Sequence, residues 1–185
     1  MNDKIILGIV GQISSGKTTV ANYLAEKYDG IIFGFSQPLR RVLEVLNIAR
    51  SRENLASLSS ILRRQFGDDT ILKALINEIR EAPANVVLVE GLRRQDDYEA
   101  LKSLPGFHLI AIEAEEKLRY ERLTARRQNP DDANKTWEQF LIDEKQEAEL
   151  QIPSVMKQAE FTLNNNLGHE KLIEQLQVMT DKIFN

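Results

Sequence analysis

The chain contains no cysteine, which excludes disulfides, thiolate metal sites and cysteine nucleophiles. Its two histidines, His108 and His169, are too few and too separated for a histidine-rich metal site. No apolar run approaches the 18 or more residues that a membrane-spanning helix requires. The opening MNDKIILGIV has one lysine and no small-residue cleavage pattern, so it reads as a first strand and not as a signal peptide. The expectation is a cytoplasmic protein with no membrane partner. A surplus of positive charge is missing too, and the formal charge of −4 argues against a nucleic-acid polymer as partner. Repeats and low-complexity segments are also absent.

What remains is ordinary globular material. The 185 residues are 42% hydrophobic and 28% charged, and a chain of this length suits one domain over 1–185 that buries about 70% of its unfolded surface.

Against that background the segment Gly11 to Thr18, GQISSGKT, carries chemistry. It matches the phosphate-binding P-loop at every constrained position: Gly11, four free residues, then Gly16, Lys17 and Thr18. Gly11 and Gly16 permit the backbone angles that turn consecutive N–H groups inward around a phosphate, with Ser14 and Ser15 completing the cradle. The helix that follows points its positive dipole end at the same place. Lys17 is placed to reach β- and γ-phosphate oxygens and Thr18 to offer its hydroxyl to Mg²⁺. Context supports the match. The run Lys4 to Val10 is almost wholly apolar, as a buried parallel strand requires, and Val20, Ala21, Leu24 and Ala25 recur at helical spacing up to about Tyr28.

Four further strand candidates follow, Ile31 to Phe35, Asn85 to Glu90, His108 to Glu113 and Glu160 to Leu163, with helical patterns between them. The fold class is therefore α/β: a three-layer P-loop NTPase fold on a five-stranded parallel sheet, with ligand chemistry at the carboxyl ends of the strands. That rule sorts the arginines, eight of whose thirteen occur in adjacent pairs at 40–41, 63–64, 93–94 and 126–127. Guanidinium forks grip phosphate oxygens through two parallel bonds, so clustered arginines in an acidic protein suggest a compact polyphosphate site.

After the second strand comes Ser36-Gln-Pro-Leu-Arg40-Arg41, opening a helix through Val42, Leu43 and Leu46. A second helix is expected from about Arg52 to Phe66, ending in Arg63-Arg64 and capped by Gly67. This excursion, 36–83, is larger than a simple crossover needs and is expected to form an acceptor-gripping arm. Glu90 closes the third strand, where P-loop enzymes keep the carboxylate that orients Mg²⁺ or its water, and Gly91 lets the chain turn to deliver Arg93 or Arg94. Beyond the fourth strand a helix from Glu115 to Arg127 turns Leu118 and Leu123 inward and carries Arg119, Arg122, Arg126 and Arg127. With the proline-containing loop after it, the region 115–135 reads as a lid over transferred phosphate. Trp137 and Phe140 are expected to anchor a returning helix, with an exposed Trp137 stacking on a base as the alternative; Asn164 to Asn166 make a turn after the last strand, whose amides are also suited to a purine edge, and His169 is a surface residue.

GQISSGKT, FSQPLR, EGLRR, RYERLTARR and AEFTLNNN together resemble the P-loop nucleoside monophosphate kinases, close to the adenylate kinase and dephospho-coenzyme A kinase group. The resemblance implies donor phosphates on Gly11, Gly16, Lys17, Thr18 and Thr19. It also implies an acceptor phosphate on Arg40, an acid and arginine at Glu90 and Arg93 or Arg94, lid arginines at Arg119, Arg122, Arg126 and Arg127, and Asn165 near the donor adenine. The chain departs from that pattern at Gln37, where such kinases commonly carry an aspartate, and at Glu90, where aspartate is more usual.

The expected activity is Mg²⁺-dependent transfer of the γ-phosphoryl of ATP to a small nucleotide-like acceptor. Lys17, Glu90, Arg93, Arg119, Arg122 and Arg126 are the candidate catalytic residues, and Ser36, Arg40, Arg64, Arg93 and Arg94 the acceptor ligands. Thr18 and Glu90 are the metal-binding candidates. A nucleotide-dependent switch is the second class, although no Asn-Lys-x-Asp base-reading motif appears. A monomer or a homodimer is compatible with either.

Overall fold

The computed structural model describes residues 4–126 and 132–184. Five short apolar segments form strands: β1 (Ile5–Val10), β2 (Ile31–Gly34), β3 (Val86–Glu90), β4 (Phe107–Glu113) and β5 (Phe161–Asn164). They pair in parallel in the order β2-β3-β1-β4-β5, so β1 lies at the centre and the loop that leaves it opens at the middle of the sheet's carboxyl edge.

Among the described residues ten α-helices and a short 3-10 turn at Asp132–Asn134 connect and cover the strands: α1 (Lys17–Tyr28), α2 (Gln37–Val45), α3 (Arg52–Phe66), α4 (Thr70–Glu81), α5 (Gln95–Lys102), α6 (Glu116–Arg126), α7 (Trp137–Glu144), α8 (Glu147–Leu150), α9 (Ile152–Met156) and α10 (His169–Phe184). The period-two geometry of strands splits the core into two layers. On one face Ile6, Val10, Val87, Val89, Leu109 and Ala111 pack against α2, α4, α5 and α9. On the other, Leu7, Ile9, Leu88, Ile110 and Ile112 pack against α1 and α10. Each fully buried aliphatic side chain contributes roughly 2 kcal/mol of transfer free energy, and this two-sided burial explains why the strands read as continuous apolar runs.

The strand bounds agree with the sequence expectation to within one residue at either end, and α3 has the expected limits. Gly67 adopts φ 104° and its N–H donates to Arg63 O at 2.9 Å, ending α3. The excursion 36–83 holds three helices, within the two or three its length suggests, because Ile71, Leu72, Leu75 and Ile79 give α4 an apolar face of its own. One feature differs from expectation. The returning segment is three short helices instead of one: Gln146 is extended (φ −66°, ψ 147°), which stops α7, and Pro153 opens α9 in its first turn.

Candidate active site

Gly11 begins the phosphate loop under steric pressure. A Cβ there would lie 2.5 Å from Ser15 Oγ and 2.6 Å from Ile112 O, distances no side chain tolerates. Ser14 takes a left-handed conformation (φ 59°) and Gly16 another (φ 108°), and a Cβ on Gly16 would meet Asn165 Nδ2 at 2.2 Å. The chain thus turns into α1 with its first, intrahelically unpaired N–H groups facing the carboxyl edge of the sheet.

Lys17 folds over this loop and donates to Gly11 O and Gln12 O, both at 2.7 Å. Burial pushes its ammonium down to about 8; the carboxylates of Glu149 and Glu90 oppose that, while the guanidinium groups of Arg93 and Arg126 reinforce it. Residues from β3, α6 and α8 therefore share one electrostatic environment with the P-loop lysine. Glu90 closes β3 beside Thr18. Burial raises its carboxyl above the usual range, and hydrogen bonding from Thr18 and the charge of Lys17 only partly offset this.

Ser14 Oγ, Ser15 Oγ, Glu90 Oε1 and Arg122 Nη1 are buried side-chain atoms without a hydrogen-bond partner. Each such atom costs on the order of 1–3 kcal/mol when left unpaired. Three stand in or beside the loop. Arg122 is tied to it through Asn165, whose O accepts from Arg122 Nη2 at 2.8 Å and whose amide donates to Ser15 O at 2.7 Å.

The remaining candidates separate into those near this centre and those held elsewhere. Ser36 caps α2 next to Phe35, whose N–H donates to Glu90 O at 3.2 Å, and the half-buried Arg40 lies one turn further on. Arg41, the other member of that pair, is spent on Glu78 of α4. In the next pair the positions are reversed relative to expectation. Arg64 is exposed, whereas Arg63 turns inward with its guanidinium 3.9 Å from Asp97 of α5. Asp97 is 4% exposed, and burial raises its carboxyl while Arg63 and Arg94 draw it down. Arg94 is half-buried at the N-cap of α5, and Arg93 pairs with Glu149. Thr18 and Thr19 are exposed at the start of α1.

Arg119 corrects the picture of an outward row of lid arginines. It is 2% exposed and donates to Ala114 O at 3.0 Å, to Ile13 O at 3.3 Å and to both carboxylate oxygens of Glu144. Its side chain braces the back of the phosphate loop, while Leu118 is half-buried and Leu123 fully buried. Arg126 is partly exposed, with Nε 3.8 Å from Asp132. Arg127 lies outside the described residues. Asn165, expected near adenine, is 6% exposed and its amide is occupied by the loop backbone and Arg122.

Sequence reasoning passed over Glu144, Glu149, Gln151 and Asp97. The acidic stretch from Asp143 to Glu149 was the available signal, but only the break at Gln146 turns Glu149 toward Arg93. Phe140 is fully buried as expected, and Trp137 and Tyr120 pack edge-on at 5.2 Å. A cleft of about 500 Å³ opens beside Gln12, between Glu113, Glu115 and Asn166 on one side and Pro153 and Met156 on the other, a size that suits a small ligand. Among the described residues no three His, Cys, Asp or Glu side chains form a metal-binding group, and no helix is long and apolar enough to cross a membrane.

Residues 7–150 match the AAA_18 family, an AAA domain. The chain belongs to that family. A UPF0200 protein of Methanocaldococcus jannaschii is 28% identical over 183 residues, covering 98% of this chain and 91% of the relative. A UPF0200 protein of Methanococcus maripaludis is 27% identical over 182 residues, covering 97% and 98%. Among solved structures, a shikimate kinase from Bacteroides thetaiotaomicron superposes with a TM-score of 0.64 at 14% identity, covering 98% of this chain and 99% of that one. A gluconokinase from Sinorhizobium meliloti superposes at 0.56 and 12% identity, covering 99% and 97%. The fold is that of P-loop kinases, α/β with helices on both faces of a five-stranded parallel sheet.

Proposed function

We propose that this protein is an ATP-dependent phosphotransferase that moves the γ-phosphoryl group to a small nucleotide-like acceptor, of nucleoside monophosphate or dephospho-coenzyme A type. The observation that carries this reading is the set of orphaned buried atoms around the P-loop. Two hydroxyls and a guanidinium N–H are donors awaiting acceptor oxygens, which is what a polyphosphate supplies. The orphaned Glu90 oxygen instead needs a cation or a proton donor.

That atom also tests the fit of Mg²⁺. A buried, unpartnered carboxylate oxygen beside the Thr18 hydroxyl is a donor set suited to a magnesium ion that keeps water and phosphate as its other ligands. Thr18 and Glu90 would hold the ion, directly or through water. Bound there with nucleotide, it would neutralise charge on the β- and γ-phosphates. Lys17 would exchange its two carbonyl partners for phosphate oxygens. Arg93 and Arg126, which already share the lysine's environment, would stabilise the equatorial oxygens in transit, and Arg122 would add its free N–H. Arg40 and Arg94 would grip the acceptor, Ser36 would contact it, region 36–83 would form its binding arm and 115–135 the lid. Positioning and charge neutralisation supply most of the rate in such a transfer.

The names of the structural neighbours agree with the small-molecule class of acceptor. The test is ADP release from Mg·ATP across nucleoside monophosphates, dephospho-coenzyme A, shikimate and gluconate, with Lys17→Ala as control. Stimulation by one of the first two acceptors is expected. Failure of every small acceptor to accelerate ATP consumption would overturn the proposal.

A further inference from the structure

The segment bearing Glu149 is lightly held. α8 has four residues, extended backbone at Gln146 precedes it, and its Leu150 is 61% exposed. Two polar contacts fasten it across the mouth of the site. Gln151 Oε1 accepts the Gln95 N–H, an unpaired amide of the first turn of α5, at 2.9 Å. The carboxylate of Glu149, 10% exposed, accepts from Arg93, which is itself 48% exposed and free to pivot. Glu149 is also the strongest single charge acting on Lys17.

A carboxylate paired with Arg93 and acting on the P-loop lysine has the charge and the planar oxygen pair that Arg93 would find on a phosphate. Beside a triphosphate held by Lys17 it would be repelled, since like charges in a partly desolvated site act strongly on one another. We propose that Glu149 is an internal counter-anion, holding Arg93 and the cradle neutral in the empty site until entering nucleotide phosphate displaces it and releases segment 146–151. The inference rests on the phosphotransferase reading above. It makes Glu149 a determinant of nucleotide affinity and α8 the element that moves.

The test compares wild-type protein with Glu149→Gln by calorimetric titration with Mg²⁺ and a non-hydrolysable ATP analogue. Glu149→Gln should bind about tenfold more tightly at low salt, and the advantage should shrink as salt screens the displaced charge. Gln151→Ala loosens the same segment with its charge intact, and should tighten binding by about twofold. In wild-type protein the backbone amides of 147–151 should exchange with solvent faster when the analogue binds, opposite to the protection expected of a segment that closes on ligand. Unchanged or weaker binding by either variant, or slower exchange, would overturn the inference and leave the phosphotransferase reading standing. Wild-type protein that binds no nucleotide would overturn both.

Discussion

In the phosphate loop Lys17 reaches back five and six positions to Gln12 and Gly11. In the arm that returns from α6 toward β5, Arg119 reaches forward 25 positions to Glu144, and Arg93 and Gln95 reach 56 to Glu149 and Gln151. The loop's turn is set within its own eight residues by Ser14 and Gly16 at positive φ and by two glycines at which a Cβ would have no room against Ser15, Ile112 and Asn165. The arm has no such local constraint, and its three short helices take their places from charges on distant elements. Local constraint gives a recognisable motif, whereas long-range pairing permits any sequence that puts the right charge at the right point.

The sharpest way to break that comparison is to remove the loop's central charge. Lys17→Ala should lower turnover by on the order of 10³ or more, measured by coupled ADP release. Its melting temperature should stay level or rise, since the substitution deletes an ammonium that burial disfavours. Loss of the circular-dichroism signal would mean that Lys17 holds the loop together, and the loop would then resemble the arm.

On the arm the order of effects should reverse, with stability lost first. Arg119→Met strands the Glu144 carboxylate and removes the donor to Ile13 O, and breaking such a buried pair from one side costs about 3 kcal/mol. Glu144→Gln should cost less, and the double variant less than the sum of the two, because the pair acts as a unit. Urea unfolding measures all three. Additive losses would show that the bidentate pair is incidental.

This contrast also explains what could be read in advance. The strands were legible because burial on both faces leaves an apolar run, and the loop because Gly11, Gly16, Lys17 and Thr18 have few substitutes. Glu90 was legible from its place at the end of β3. The member of each arginine pair that turns inward was not, since adjacent residues on a helix differ by only 100° of rotation and packing chooses between them: Arg41 goes to Glu78, and Arg63 instead of Arg64 goes to Asp97. Arg119 was misplaced for a related reason. A charged residue at a position equally open to lid or core is assigned to solvent unless its partner is known, and Glu144 lies on another helix.

Glu90 tests whether a locally placed residue acts through the ligand. Glu90→Gln should cut Mg²⁺-dependent turnover by roughly 100-fold while changing nucleotide affinity only a few-fold. Because burial disfavours the ionised carboxyl, the same variant should unfold at equal or higher temperature. A fall in melting temperature with turnover intact would place Glu90 among the structural charges of the arm.

The smallest expected effect is on pH, and its sign follows from Lys17. In the empty folded protein its ammonium titrates near 8, against 10.5 for an unperturbed lysine. Between those values the unfolded chain holds a proton that the native state has released, so stability should rise with pH through this window. Nucleotide binding should run the other way, because phosphate oxygens need the ammonium form. Above pH 8 each complex must take up a proton, and affinity should weaken by up to about tenfold per pH unit. Titrations in buffers of different ionisation enthalpy would register that uptake as a buffer-dependent heat. A heat independent of buffer, or affinity unchanged from pH 7 to 9.5, would mean that Lys17 keeps its proton in the empty loop and that Glu149 and Glu90 outweigh its burial.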